Sequence, residues 1–203
     1  MRYFFLKIYI IIFFIISINN LLAIEKINHK IAVLVNDEII STYDVTQRMK
    51  INAIIGGLNI TPDNNQLIAN SAVEDLINEK LKYEKSIEYE ITVNDEEYNS
   101  YEILFFQNKP FTKIELINTF KNNNIRYLEF KNYLIGEIAW NKLIGRLYYR
   151  LASVSDIEVE EIISKNPNIN IKQAEEIIIQ RQLDLSSSKL LRDMKNEATI
   201  EYK

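Results

Sequence analysis

The chain has 203 residues, with 24 Lys and Arg against 28 Asp and Glu, a formal charge of −4 at pH 7, no Cys, four Gly and three Pro. That balance holds no basic excess to release counterions from phosphates, which argues against a nucleic-acid partner. Without Cys there is no disulfide support, and so few Gly and Pro leave little room for a turn-rich all-β fold.

Residues 1–7 carry Arg2 and Lys7, residues 8–18 are almost wholly apolar, and Asn19-Asn20-Leu21-Leu22-Ala23 is a polar-to-small exit. This is the layout of a secretory signal, with cleavage expected between Ala23 and Ile24, and the apolar run is short for a membrane span of about 20 residues. An uncleaved N-terminal membrane anchor is the alternative; both readings export the rest of the chain. Removing residues 1–23 takes away two basic and no acidic side chains, which moves the formal charge from −4 to −6.

The stretch from Ile31 to Val45, IAVLVNDEIISTYDV, organises the rest of the chain. Ile31, Val33 and Val35 alternate with their neighbours, Asn36-Asp37 can turn, and Glu38-Ile39-Ile40-Ser41 can return as a β-hairpin. A lone hairpin needs a third strand or a helical cover. The other good strand candidate is Ala198-Thr199-Ile200-Glu201-Tyr202, so the spacing predicts a small antiparallel sheet that ties the two ends of the exported chain together.

Between them the periodicity is helical. Ser41 with Asp44 caps a first helix that carries Val45, Met49 and Ile51 inward and ends at Gly56-Gly57. Thr61-Pro62-Asp63-Asn64 opens a second, with Leu67, Val73, Leu76, Ile77, Leu81 and Ile87 at helical spacing. After an extended link near Glu88 to Val93, Asn94 with Glu97 caps a third helix bearing Tyr98, Tyr101 and Phe105. Pro110 stops it, and Thr112 with Glu115 caps a fourth carrying Leu116, Ile117 and Phe120. Asn122-Asn123-Asn124 is a turn. A fifth helix, about residues 126–151, has Leu128, Leu134, Ile135, Ile138, Leu143 and Leu147 as its expected buried stripe. Ser155 with Glu158 caps a sixth. Past Asn166-Pro167-Asn168, one or two further helices with Ala174, Ile177, Ile178, Leu183, Leu190, Leu191 and Met194 lead to the last strand.

Taken in order, the hairpin-then-helix stretch, Leu76-Ile77-Asn78-Glu79-Lys80-Leu81, Ile91-Thr92-Val93-Asn94-Asp95-Glu96-Glu97 and Tyr133-Leu134-Ile135-Gly136-Glu137-Ile138 resemble the N-terminal region of the SurA-type periplasmic chaperones. Val154-Ser155-Asp156-Ile157-Glu158-Val159 resembles the helix that leads into the first parvulin-type prolyl isomerase domain of that family. The resemblance runs from about Lys30 to Ser164. The chain then departs from the longer family members: a link of about ten residues stands where a domain of roughly forty or more is expected. Residues 181–202 resemble the closing helix and strand. The resemblance implies a mainly α-helical chaperone core with a small sheet and no parvulin domain, organised as signal peptide 1–23, helical domain 24–164, linker 165–172, and a closing segment 173–203.

A parvulin site, by the same resemblance, uses paired histidines with a cysteine or aspartate, whereas this chain has no Cys and a single His, His29. Prolyl isomerase activity is therefore not expected, although descent from that family keeps it as one alternative. No metal-ligand spacing, phosphate-cradling loop or nucleophile motif is visible, and no cofactor is expected. Asp95-Glu96-Glu97 and the acidic run at residues 158–161 read as solvated helix starts favoured by the macrodipole.

Twelve Tyr, nine Phe and one Trp are a generous aromatic set. Phe105, Phe106, Phe111, Tyr133, Trp140 and Tyr148 cannot all face one core, because neighbours on a helix point about 100° apart. They are the candidates for a client-binding groove among the third to fifth helices, each with core packing as its plain alternative. The expected function is an ATP-independent holdase for unfolded outer-membrane or envelope polypeptides. A membrane-anchored helical subunit with one dedicated partner is the second reading. Exchange of the terminal strand between two copies, hinged at the link after Asn166, is an open oligomeric arrangement.

Overall fold

The computed structural model describes residues 30–203. The expected cleavage site at Ala23 and Ile24, and His29, lie outside the described residues. In chain order the elements are β1 (Ile31–Val35), β2 (Glu38–Ser41), α1 (Thr42–Gly56), α2 (Asn65–Glu88), α3 (Asp95–Gln107), α4 (Lys113–Asn122), α5 (Tyr127–Tyr148), a 3₁₀ turn (Tyr149–Leu151), α6 (Asp156–Lys165), α7 (Ile171–Glu197) and β3 (Ile200–Tyr202). The fold is thus mainly α with one small antiparallel sheet in the order β2-β1-β3.

Asn36 is the reason the sheet closes on the tail. Its φ of 51° makes the hairpin reversal in the left-handed region, where a short polar side chain is tolerated. Turned that way, its backbone N–H donates to the Thr199 carbonyl at 2.8 Å, and its Oδ1 accepts from the Thr199 N–H at 3.0 Å. Val33, Leu34 and Val35 then pair with Ile40, Ile39 and Glu38 on one side and with Tyr202, Glu201 and Ile200 on the other. The alternation puts Val33, Val35 and Ile40 on one face, packed against Leu76, Ile77 and Leu81 of α2 and Leu191 and Met194 of α7. Each such fully buried aliphatic side chain contributes about 1.5–3 kcal/mol.

The capping pairs Ser41/Asp44, Asn94/Glu97, Thr112/Glu115 and Ser155/Glu158 all form reciprocal capping boxes. A fifth, Asn170/Gln173, starts α7 within the stretch expected to be linker, so α6 and α7 are joined by residues 166–170 alone. The last helical region is one continuous helix of 27 residues. Its N-terminal half packs on α6 through Val159, Ile162, Ala174 and Ile178. Leu183 near its middle, with Leu190 and Leu191 beyond, joins a cluster around Trp140, Leu143 and Ile144 of α5, while Ile177, expected to be buried, is 41% exposed.

A further core joins α1, α3, α4 and α5 around Phe120, Phe130 and Leu134. The α5 stripe follows the four-residue spacing Phe130, Leu134, Ile138. Leu128, expected in it, is 56% exposed, because two residues from Phe130 is about 200° around the helix. Leu67 and Ile87 are exposed as well, since α2 buries Ala72, Leu76, Ile77 and Leu81 instead. Residues Ile31 to Lys203 form one compact unit.

Candidate functional site

The helices α2 and α5 pack together through the middle of this unit, and a cleft opens on each flank of their contact. The larger, about 610 Å³, has Tyr83, Ser86 and Ile87 of α2 on one wall and Ile135, Gly136 and Ala139 of α5 on the other. Ile91 and Val93, in the link to α3, close one end, and Glu38 of the hairpin stands at the cleft together with Lys80, to which it is ion-paired at 2.8 Å. The link reaches this position because Glu90 adopts φ 53° after α2, which lets the Ile91 N–H return to the Ser86 carbonyl at 2.9 Å. The open floor comes from Gly136, where a Cβ would meet nothing within 4 Å.

The second cleft, about 450 Å³, lies between α1, α2, α3 and α5, with Ile51, Ile55, Phe105 and Tyr133 as apolar lining. Its polar lining is internally paired: Lys82 with Glu137 at 2.7 Å and Asn52 with Asp75 at 2.7 Å. The Arg48 guanidinium, itself bound to Glu79, lies 5.0 Å from the Tyr133 ring centroid, and the Lys109 ammonium lies 5.0 Å from that of Phe105. Burial, with the nearby Glu137 carboxylate, pushes the Tyr133 phenol up to about 12. A small cavity of about 150 Å³, bordered by Gln47, Arg48, Glu79 and Lys80, sits between the two clefts and shares lining residues with both.

Four of the six aromatic residues singled out from the sequence come together. Phe105, Phe106, Phe111 and Tyr133 gather about Phe130, with Phe105 edge-on to both Phe106 and Phe130 at 5.2 Å. Phe105 and Tyr133 line the second cleft; Phe106 and Phe111, half-buried and in contact at 6.3 Å, line none of the three cavities. Trp140 belongs to the core instead: it is 2% exposed and its indole N–H donates to Ser187 Oγ at 2.8 Å. Tyr148 packs in that same cluster, apart from the Phe130 group. Tyr83 and Ile87, which line the larger cleft, are not among the groove candidates from the sequence, which places Ile87 in the apolar spacing of the second helix and does not name Tyr83. Their signal is an apolar pair four residues apart, off the Leu76, Ile77, Leu81 stripe. Among the described residues no three His, Cys, Asp or Glu side chains converge to hold a metal ion, and no helix is long and apolar enough to cross a membrane.

This architecture defines a helical core with the SurA-like chaperone fold. A solved structure from work on two structurally related SurA-like chaperones of Campylobacter jejuni, the virulence factor PEB4 and the periplasmic protein Cj1289, is similar over 85% of this chain and 98% of its own, with a TM-score of 0.51. The sequence identity is 15%, so the likeness is one of fold. No family model and no curated protein matches the chain.

Proposed function

We propose that the protein is an ATP-independent periplasmic holdase that keeps unfolded outer-membrane or envelope polypeptides from aggregating. The observation that carries this reading is the pair of clefts flanking the α2–α5 contact, the larger with a mainly apolar lining, in a fold similar to that of a SurA-like chaperone. Clefts of this size take apolar side chains of an extended segment by area and shape. Most of the charged groups around them are tied to one another, so capture rests on shape and apolar contact. Binding of this kind is modest and reversible, because ordering a flexible client offsets much of the buried area.

The test is whether the purified chain, at near-stoichiometric ratio, slows aggregation of an unfolded outer-membrane barrel protein more than that of a soluble non-barrel protein. Selective protection of the barrel client is expected. Equal aggregation of both clients with and without the chain overturns the proposal.

A further inference from the structure

The two clefts and the cavity between them stand in a row. Glu79 and Lys80 border both the larger cleft and the middle cavity, and Arg48 and Ile51 border both the middle cavity and the smaller cleft. The Arg48–Glu79 ion pair therefore stands where the three meet. Two buried side-chain oxygens among the described residues lack a hydrogen-bond partner within the chain, and both belong to this row. Gln47, 6% exposed, borders the middle cavity with its Oε1 unpartnered, and Ser86, 4% exposed, borders the larger cleft with its Oγ unpartnered. Buried polar atoms are almost always satisfied, so two exceptions along one path call for a partner.

The charges narrow what that partner is. Lys80 is held by Glu38, Arg48 by Glu79, Lys82 by Glu137 and Asp75 by Asn52. Asp44 is bound to Ser41 and Glu129 to Arg126, which leaves Lys109, lying over the Phe105 ring, as the charged lining group outside such a pair. An acidic group could meet Lys109 at the smaller cleft, but elsewhere in the row a charged segment would compete with pairs already made, which a neutral one leaves intact. The complement of a row whose apolar walls are interrupted by mostly paired charges, with one free acceptor and one free hydroxyl, is a neutral, extended polypeptide offering main-chain N–H and C=O groups.

We infer that Gln47 and Ser86 are main-chain anchors, each after rotation of its side chain into the cavity it borders: Gln47 Oε1 accepts from a client N–H, and Ser86 Oγ donates to a client carbonyl. This rests on the holdase reading and adds how one site serves many sequences, because it reads the main chain common to all of them. It also gives the preferred client, an uncharged extended segment.

The probe is a fluorescently labelled neutral peptide of about ten residues, the length of one barrel strand, together with a series in which each amide is N-methylated in turn. Wild type is expected to bind the plain peptide and to lose about tenfold when the engaged amide is methylated. Gln47→Met is expected to bind the plain peptide about tenfold more weakly and to be indifferent to that methylation. Ser86→Ala is expected to weaken binding about fivefold. Both variants should melt no lower than wild type, since each removes an unpartnered buried oxygen. A central Lys in the peptide should lower wild-type affinity at least tenfold. Wild-type binding that is insensitive to every N-methylation overturns the inference while leaving the holdase reading in place, and it does so whether or not the variants fold. No binding of any peptide by wild type removes both.

Discussion

The Tyr98 hydroxyl donates to Glu102 Oε1 at 2.5 Å, and Tyr127 donates to the same oxygen at 2.7 Å while Lys113 holds Oε2 at 2.6 Å. The donors lie on α3, at the start of α5 and at the start of α4, so one buried carboxylate fastens three helices beside the Phe130 cluster. Removing it leaves two phenols without their acceptor. Glu102→Leu is expected to lower stability by about 1–3 kcal/mol, read from the urea midpoint at pH 7 with an unchanged slope. A midpoint equal to that of wild type would show that the network is not fastening the helices.

The same network sets a pH dependence. Burial alone raises the Glu102 carboxyl, but the hydrogen bonds from Lys113, Tyr98 and Tyr127 outweigh it and hold it below the ordinary carboxyl value of 4.5. Its contribution is therefore present above the unfolded value and lost as pH falls through the folded one. Tyr98 is pushed up to about 12 by burial and then by Glu102, and Tyr127 is raised further in the same direction. Their contribution is present below the unfolded phenol value of 10.0 and lost as pH rises toward about 12. Stability should fall at both ends, and Glu102→Gln should flatten the acid limb. Melting temperatures followed from pH 3 to pH 11 (roughly the span of these titrations) check both.

Trp140 offers a separate test, because its indole sits between α5 and the C-terminal half of α7. Trp140→Ala is expected to cost about 3–5 kcal/mol, the range for a large aromatic removed from a core, and to weaken client binding only through loss of the fold. Ser187→Ala removes the 2.8 Å acceptor of the indole N–H and is expected to cost about 1 kcal/mol with client binding unchanged. A folded Trp140→Ala protein with wild-type stability and lost client binding would restore Trp140 to the surface role expected from the aromatic count.

Asn36 joins the two ends of the described unit through both its backbone and its side chain. Asn36→Ala keeps a Cβ in the left-handed region and loses the side-chain contacts to Thr199 and Glu84. The expected cost is about 1–2 kcal/mol. Asn36→Gly relieves the reversal without restoring those contacts, so in thermal melts its stability should fall between wild type and Asn36→Ala. Asn36→Gly melting below Asn36→Ala would show that the left-handed reversal does not set the cost.

The hairpin, four capping boxes and the closing strand were legible because each is set by local spacing: alternation, an Asn at a reversal, an acid three residues after a Ser, Thr or Asn. The buried stripes were legible in part, as at Leu134, Ile138 and Leu143, whereas the fully buried Phe130 was not among the residues expected in them. They were misread at Leu128, Leu67 and Ile87, where an apolar residue lies off the stripe. The clefts were not legible, since which flank of α2 stays open depends on how α5 and the link at Glu90 meet it. Aromatic content pointed to Trp140, yet its N–H finds an acceptor on a helix more than forty positions away in sequence, a pairing no local pattern encodes.

Gly136 gives the sharpest test of the larger cleft, because it allows the cleft to be filled without taking any contact away. It lies inside α5, and a Cβ there meets nothing within 4 Å. Gly136→Ala should raise stability by roughly 0.5–1 kcal/mol through helix propensity alone and leave client protection close to that of wild type. Gly136→Phe places a ring between Tyr83 and Ile135 and should abolish most protection while the protein still melts cooperatively. Tyr83→Ala with Ile87→Ala, which strips the exposed α2 wall, should weaken client binding about tenfold with stability changed by less than about 0.5 kcal/mol, as for surface substitutions. Aggregation assays on these variants beside thermal melts separate occlusion from unfolding. If Gly136→Phe protects the barrel client as well as wild type does, clients bind elsewhere, and the smaller cleft with Phe105 and Tyr133 becomes the next to fill, by Gly56→Phe at its edge.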